Sequence, residues 1–143
     1  MIRPGQAHDA GRNLEIWRAA VAATHDFLTP ADLVSIDVLV ADWLAEARPW
    51  AWVDPADSPV GFMALTDSHV DALFVDPARH GAGVGRALIG HARALHGSLT
   101  VDVNEQNPRA VGFYERLGFE RTGRSPTDGQ GRPYPLLHLT WRA

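Results

Sequence analysis

The stretch Phe74-Val75-Asp76-Pro77-Ala78-Arg79-His80-Gly81-Ala82-Gly83-Val84-Gly85-Arg86-Ala87-Leu88-Ile89 carries an apolar strand into a glycine-rich loop and then into a helix. Gly81, Gly83 and Gly85, at alternate positions, leave the backbone N–H groups uncovered and permit dihedrals closed to other residues. A helix opening near Gly85 adds its unpaired N-terminal amides and the positive end of its dipole. The combination predicts a cradle for phosphate or pyrophosphate. Two common nucleotide loops do not match it. A P-loop needs Gly-Lys-Ser/Thr, whereas Gly85 is followed by Arg86-Ala87. A dinucleotide fingerprint needs a third glycine where Arg86 stands.

The 143 residues fit one domain, spanning 1–143, with enough chain to bury a sizeable core. There is no cysteine, which excludes disulfides, thiolate catalysis and cysteine-based zinc sites. Lys plus Arg (13) are interspersed with Asp plus Glu (17) for a net charge of −4, which disfavours nucleic acid as a partner. The seven histidines show no metal-ligand pattern, so no metal is expected. No apolar run has the length of a signal peptide or membrane span, and a cytoplasmic location is the expectation.

Outward from the loop, the chain reads as alternating periods. Ile2-Arg3 predicts a short edge strand. Leu14, Trp17, Ala20 and Val21 recur at helical spacing, predicting a first helix from Asp9 to about Thr24. Thr29-Pro30-Ala31-Asp32 is a cap with proline at the first helical position, opening a second helix to about Ala47 with Leu33, Ile36, Val40, Trp43 and Leu44 as its buried stripe. Trp50–Val53 and Val60–Leu65 form a predicted hairpin, and His69–Val75 is a strand leading into the loop. The helix after the loop runs to about His96, with Leu88, Ile89 and Leu95 toward the sheet. Leu99–Val103 alternates as a half-buried strand, and Asn107–Gly118 holds a short helix with Gly118 as its stop. Strands from Phe119 to Thr122 and from Tyr134 to Trp141 follow. The order is βααβββαβαββ, an α/β (α+β) fold with one mixed sheet and helices on both faces.

His80-Gly81-Ala82-Gly83-Val84-Gly85 resembles the acyl-CoA loop of the GNAT N-acetyltransferases, Gln/Arg-x-x-Gly-x-Gly/Ala, with His80 in place of Gln or Arg and Arg79 one place earlier. Asn107-x-x-Ala110-x-x-Phe113-Tyr114-x-x-x-Gly118-Phe119 resembles the family's second marker. Thr24–Leu28, Val101–Asn107 and Arg132–Leu137 are similar to small bacterial members, so the resemblance spans essentially the whole chain. It implies the GNAT fold: a mostly antiparallel sheet whose central strands, here His69–Val75 and Leu99–Val103, splay apart. It also implies acetyl-CoA as co-substrate, transferring its acetyl group directly to a primary amine. Leu73, Phe74 and Val75 would then offer backbone groups to the pantetheine arm. His80, Gly81, Ala82, Gly83, Val84, Gly85 and Arg86 would hold the pyrophosphate, and Asn107, with Ala110 and Phe113, would reach the arm from the other side.

The reaction needs a proton acceptor for the ammonium and a donor for the departing thiolate. Tyr114 matches the family's tyrosine acid, and a phenol of ordinary pKa near 10 is protonated at neutral pH. A glutamate of the histone-acetylating branch stands eleven residues before the loop motif, and the same count from His80 reaches His69. His69 and Asp71 are both candidates for the base, directly or through water. For the acceptor, His25, Asp26 and Phe27 lie between the first two helices, where the fold places substrate contacts. Trp17, Asn104 and Tyr134 are further candidates. The acceptor class stays open among small amines, lysine side chains and protein N-termini. Monomer and homodimer are both open as well. An acyl-CoA sensor that has lost turnover, and a phosphate module for another nucleotide, are the competing functions.

Overall fold

The computed structural model describes residues 1–143. Seven strands are formed: β1 (Ile2–Arg3), β2 (Trp50–Val53), β3 (Pro59–Thr66), β4 (His69–Val75), β5 (Ser98–Asn104), β6 (Glu120–Ser125) and β7 (Leu136–Arg142). Four α-helices, α1 (Ala10–Thr24), α2 (Pro30–Ala47), α3 (Val84–Leu95) and α4 (Pro108–Arg116), complete the order βααβββαβαββ. The strands make one sheet in the order β1-β2-β3-β4-β5-β7-β6. Every neighbouring pair is antiparallel except β4 and β5.

That one parallel pair is short. β4 and β5 are in register only at His69↔Thr100 and Val70↔Val101. At the next step Ala64 and Leu65 of β3 oppose Ala72 and Val70, so Asp71 is an extra residue in β4. A bulge of this kind bends its strand and increases its twist. Beyond it β4 stays paired with β3 as far as Val75 while β5 turns to β7, and the two central strands part.

The sheet carries helices on both faces. On one side Ile16, Trp17 and Val21 of α1 and Leu44 of α2 pack on Phe62, with Ala72 and Phe74 at the margin. On the other, Val84, Leu88, Ile89 and Ala92 of α3 join Met63, Val70, Leu99, Val101 and Val103, together with Val111 and Tyr114 of α4. The sequence explains each segment locally. Thr29 accepts from the Asp32 amide at 3.2 Å with Pro30 beginning α2, and Asn107 Oδ1 accepts from the Ala110 amide at 3.2 Å with Pro108 beginning α4. Gly118 closes α4 at φ +94°, a conformation glycine adopts without strain.

Several expectations need correction. A 3-10 turn over Ala7–Asp9 precedes α1. Of the five residues expected to be buried on α2, only Leu44 is buried; Ile36 and Val40 sit at the margin of the core, and Leu33 and Trp43 are 37% exposed. The helix is apolar on too many sides for its spacing to reveal which one meets the sheet. Leu95 is half exposed rather than turned to the sheet, because it stands in the last turn of α3. Tyr134 lies in the loop before β7, which starts at Leu136.

The N-terminal strand is tied down by an ion pair at its end. Arg3 donates from Nη1 and Nη2 to the two oxygens of Asp9 at 2.8 and 2.9 Å, and the Gln6 amide adds a bond at 2.9 Å. Asp9 is 1% exposed, and the Arg3 guanidinium holds its carboxyl below the usual carboxylate range. The unfolded chain therefore takes up this proton first. The stability from Asp9 is complete above about pH 4 and is lost as the pH falls through the folded-state value. Replacing Asp9→Asn is expected to lower unfolding stability at neutral pH by about 3 kcal/mol, since it leaves a half-paired buried cation. Urea unfolding at pH 7 and pH 3 checks this, with the gap to the native chain narrowing at the lower pH.

Candidate active site

The parting of β4 and β5 opens a cleft of about 440 Å3. Leu73, Phe74 and Val75 of β4 form its floor. The loop residues Arg79, His80, Gly81, Gly83, Val84 and Gly85 form one end. Asn107, Ala110, Phe113 and Tyr114 face them from α4, and Ala20, Thr24 and His25 close the cleft from α1. Of the residues expected on the cofactor side, only Ala82 and Arg86 contribute no surface to it.

The loop is shaped as the glycines require. Gly81 and Gly83 have φ of +84° and +80°, and a Cβ built on either would meet no atom within 4 Å. Gly85 serves differently: a Cβ there would come within 3.2 Å of Phe113 Cζ, so its absence lets α4 close on the start of α3. The amides of Gly81, Gly83, Val84, Gly85 and Arg86 make no hydrogen bond to the backbone; the first helical bond here runs from Ala87 to the Gly83 carbonyl. Five unpaired donors in an arc, at the positive end of a helix, are suited to phosphate oxygens. The entrance to the loop is held rigid by α1. Arg12 Nη2 binds Asp76 Oδ2 at 2.7 Å and Arg12 Nε donates to the Pro59 carbonyl at 3.0 Å, while Asp76 Oδ1 caps the Ala78 amide at 3.0 Å.

Charge in the cleft is positive although the chain is acidic. Arg79, Arg109 and Arg116 line it and none is engaged in an ion pair. Desolvation first, and then Arg109, push the His80 imidazole below its ordinary value, so His80 is neutral at neutral pH and the arginines carry the cationic charge. Arg109 and Arg116 were not singled out from the sequence. Their spacing with Phe113, at i, i+4 and i+7, is the signal that places all three on one face of α4.

Tyr114 is 6% exposed at the cleft wall, packed between Phe113 and Phe119 at centroid distances of 5.0 and 5.2 Å. Burial alone pushes its hydroxyl well above the usual phenol range. The proton is held across all working pH. Asn107, 8% exposed, uses its side-chain oxygen on α4 and has its amide nitrogen free of protein partners.

The acceptor-side candidates separate into groups. His25 reaches the cleft; its Nδ1 is 2.7 Å from Thr24 Oγ1, and burial lowers its pKa. Asp26 lies in the same connection between α1 and α2. Phe27 stacks between His25, at 5.2 Å, and Tyr134, at 5.8 Å. Tyr134 is buried, donates to Asp32 Oδ2 at 2.5 Å and accepts from the Thr29 amide at 3.2 Å, tying the loop before β7 to the start of α2. Trp17 is packed in the core beside Phe62 and does not line the cleft. Asn104 ends β5 opposite Leu136, also outside it. His69 sits where β4 and β5 still pair, its Nδ1 2.7 Å from Thr100 Oγ1. Asp71, the bulge residue, accepts from Thr66 Oγ1 at 2.5 Å. Neither His69 nor Asp71 lines the cleft itself.

The chain is similar to known proteins over nearly all of its length. Residues 45–134 match the family model described as an acetyltransferase (GNAT) domain. The peptidyl-lysine N-acetyltransferase YjaB of Salmonella typhimurium is 52% identical over 98% of this chain and 97% of its own length. YjaB of Escherichia coli is 50% identical over 94% of this chain and 92% of its own. The solution structure of apo-form YjaB from Escherichia coli superimposes with a TM-score of 0.95 at 47% identity, covering 99% of this chain and 96% of that one. An open strand pair, a loop of unpaired amides and a protonated tyrosine thus occur in a chain that belongs to the GNAT family of N-acetyltransferases.

Proposed function

We propose that the chain transfers the acetyl group of acetyl-CoA to the side-chain amine of protein lysines, as a single domain over residues 1–143. The observation that supports this most is the arc of unpaired amides at Gly81 and residues 83–86 at the end of an arginine-lined cleft. The lysine acceptor follows from the YjaB relatives, which are peptidyl-lysine N-acetyltransferases over nearly their whole length.

Acetyl-CoA supplies an acetyl thioester, the activated form of the group transferred. The chain's own residues divide the remaining work. The loop from His80 to Arg86, with Arg79 and Arg109, binds the pyrophosphate. Leu73, Phe74 and Val75 present the edge of β4 that β5 leaves unpaired, and Asn107 brings a free amide nitrogen to the opposite wall. Tyr114, buried at the cleft wall, keeps its proton on Oη, ready for a leaving thiolate. His69 takes the proton of the acceptor ammonium, with Asp71 or a water as the alternative. His25, Asp26 and Phe27 border the acceptor's approach.

Gly83→Ala forces a side chain into φ +80° and is expected to weaken acetyl-CoA binding by about tenfold. Calorimetric titration measures this, with ATP and NAD as controls; equally tight binding of either would overturn the cofactor assignment. Tyr114→Phe is expected to lower kcat with a lysine peptide by about a hundredfold while leaving the acetyl-CoA Kd in place. Unchanged turnover would remove Tyr114 from the role of acid.

A further inference from the structure

The half of the sheet not covered by α1 and α2 carries a row of hydrogen-bonded side chains crossing four strands. On β6, Ser125 Oγ lies 2.7 Å from Nε2 of His138 on β7. His138 Nδ1 lies 2.5 Å from Oδ1 of Asp102 on β5. Asp102 Oδ2 is 3.7 Å from His69 Nε2 on β4, and His69 Nδ1 meets Thr100 Oγ1. Room for the His138 ring is provided by its cross-strand partner Gly123, where a Cβ would come within 3.2 Å of His138 Cδ2.

The row has a direction. A neutral His138 with its proton on Nδ1 satisfies both of its contacts: it donates to Asp102 and accepts from the Ser125 hydroxyl. Every donor then points toward Asp102, which has one oxygen fixed by His138 and the other turned to His69. The two imidazoles are the only cation-forming groups within 4.0 Å of that carboxylate. The nearby acidic groups are otherwise engaged, Asp71 by Thr66 and Glu105 by Arg124. At 3.7 Å the His69–Asp102 contact is an ion-pair distance and not a hydrogen bond, so Nε2 remains open to accept a proton.

We propose that Asp102, oriented by His138 and Ser125, is the positioning residue that stabilises the His69 imidazolium when the acceptor lysine is deprotonated. The inference rests on His69 as the base. The proton leaves the lysine ammonium for His69 Nε2, freeing the amine lone pair for attack. The imidazolium, next to Asp102 and about a third exposed, returns the proton to solvent after turnover. A carboxylate beside an imidazole stabilises its charged form in other acyl transfers; here it faces Nε2, the nitrogen that takes the proton, while Thr100 Oγ1 holds Nδ1 and orients the ring. Here the carboxylate is itself aimed by a second imidazole.

The test compares two acceptor peptides, one with lysine and one with an aminooxy side chain in its place, a nucleophile already neutral at pH 7.5. His69→Gln and Asp102→Asn are each expected to lower kcat with the lysine peptide by about tenfold or more, with a clearly smaller loss on the aminooxy peptide. His138→Ala is expected to show the same selectivity, partly restored in His138→Gln, whose amide can still donate to Asp102. Calorimetric acetyl-CoA binding and thermal melts, expected to match the parent, establish that each variant is folded. If His69→Gln is selective and Asp102→Asn is not, the proposal fails while His69 stands as base. If His69→Gln loses nothing, or loses equally on both peptides, the base assignment falls and the proposal with it. Equal losses on both peptides for Asp102→Asn would show a purely structural row and also overturn it.

Discussion

The site depends on a hydrogen-bond ladder that stops after two residue pairs. Elsewhere the sheet is continuous, with β1 to β4 forming one antiparallel unit and β5, β7 and β6 another. The two units meet only at His69↔Thr100 and Val70↔Val101. Had β4 continued beside β5, its edge would be satisfied and the sheet closed. The extra residue at Asp71 bends β4 away, and buried apolar contacts from α3 hold the units together where the backbone does not. An open seam in the middle of a sheet leaves donors and acceptors without partners, a state tolerated only where water or a ligand can reach them. The cleft is therefore made by the same event that costs the sheet part of its pairing.

Ion pairs then hold the parts around the seam in place. Arg12 and Asp76 fix the loop's entrance against α1, and Asp32, Tyr134 and Arg132 fix the loop before β7 against α2. These carboxylates are engaged by partners outside the cleft, and no acidic side chain lines it. A chain of net charge −4 presents a cationic groove because its acids are used elsewhere. Local arrangement, not composition, sets the potential a ligand meets.

The stretch from Phe74 to Ile89 was legible because glycine has few reasons to recur at alternate positions, and the phosphate-binding reading follows from backbone chemistry that needs no side-chain geometry. The Asn107–Gly118 helix was legible from its proline start and glycine stop. Other features were hidden for specific reasons. Read as a strand, His69-Val70-Asp71-Ala72-Leu73 gives no sign that one residue is surplus, because a bulge depends on pairing with β3. The side of α2 that packs could not be chosen, since apolar residues surround much of the helix. Trp17 was legible as an aromatic on the buried stripe of α1, but not its distance from the cleft. The strand pattern runs back to Tyr134 although β7 starts at Leu136, because strand ends depend on the partner's register. The Ser125–His138–Asp102–His69 row joins residues from four strands and has no signature in linear spacing.

The placement of β7 between β5 and β6 bears on the order in which the molecule assembles. β6 pairs with β7 alone, and β5 reaches the rest of its half of the sheet only through β7. Until residues 136–142 insert, two strands have exposed edges and the second half of the sheet does not exist. Within the first unit β2, β3 and β4 are consecutive hairpins with short loops to close; the second requires a strand to enter between two others. Contacts that join distant parts of a chain form late and slow the whole reaction. The seam between the units is thus also a boundary in time, with the anion-binding loop attached to the half that can form first.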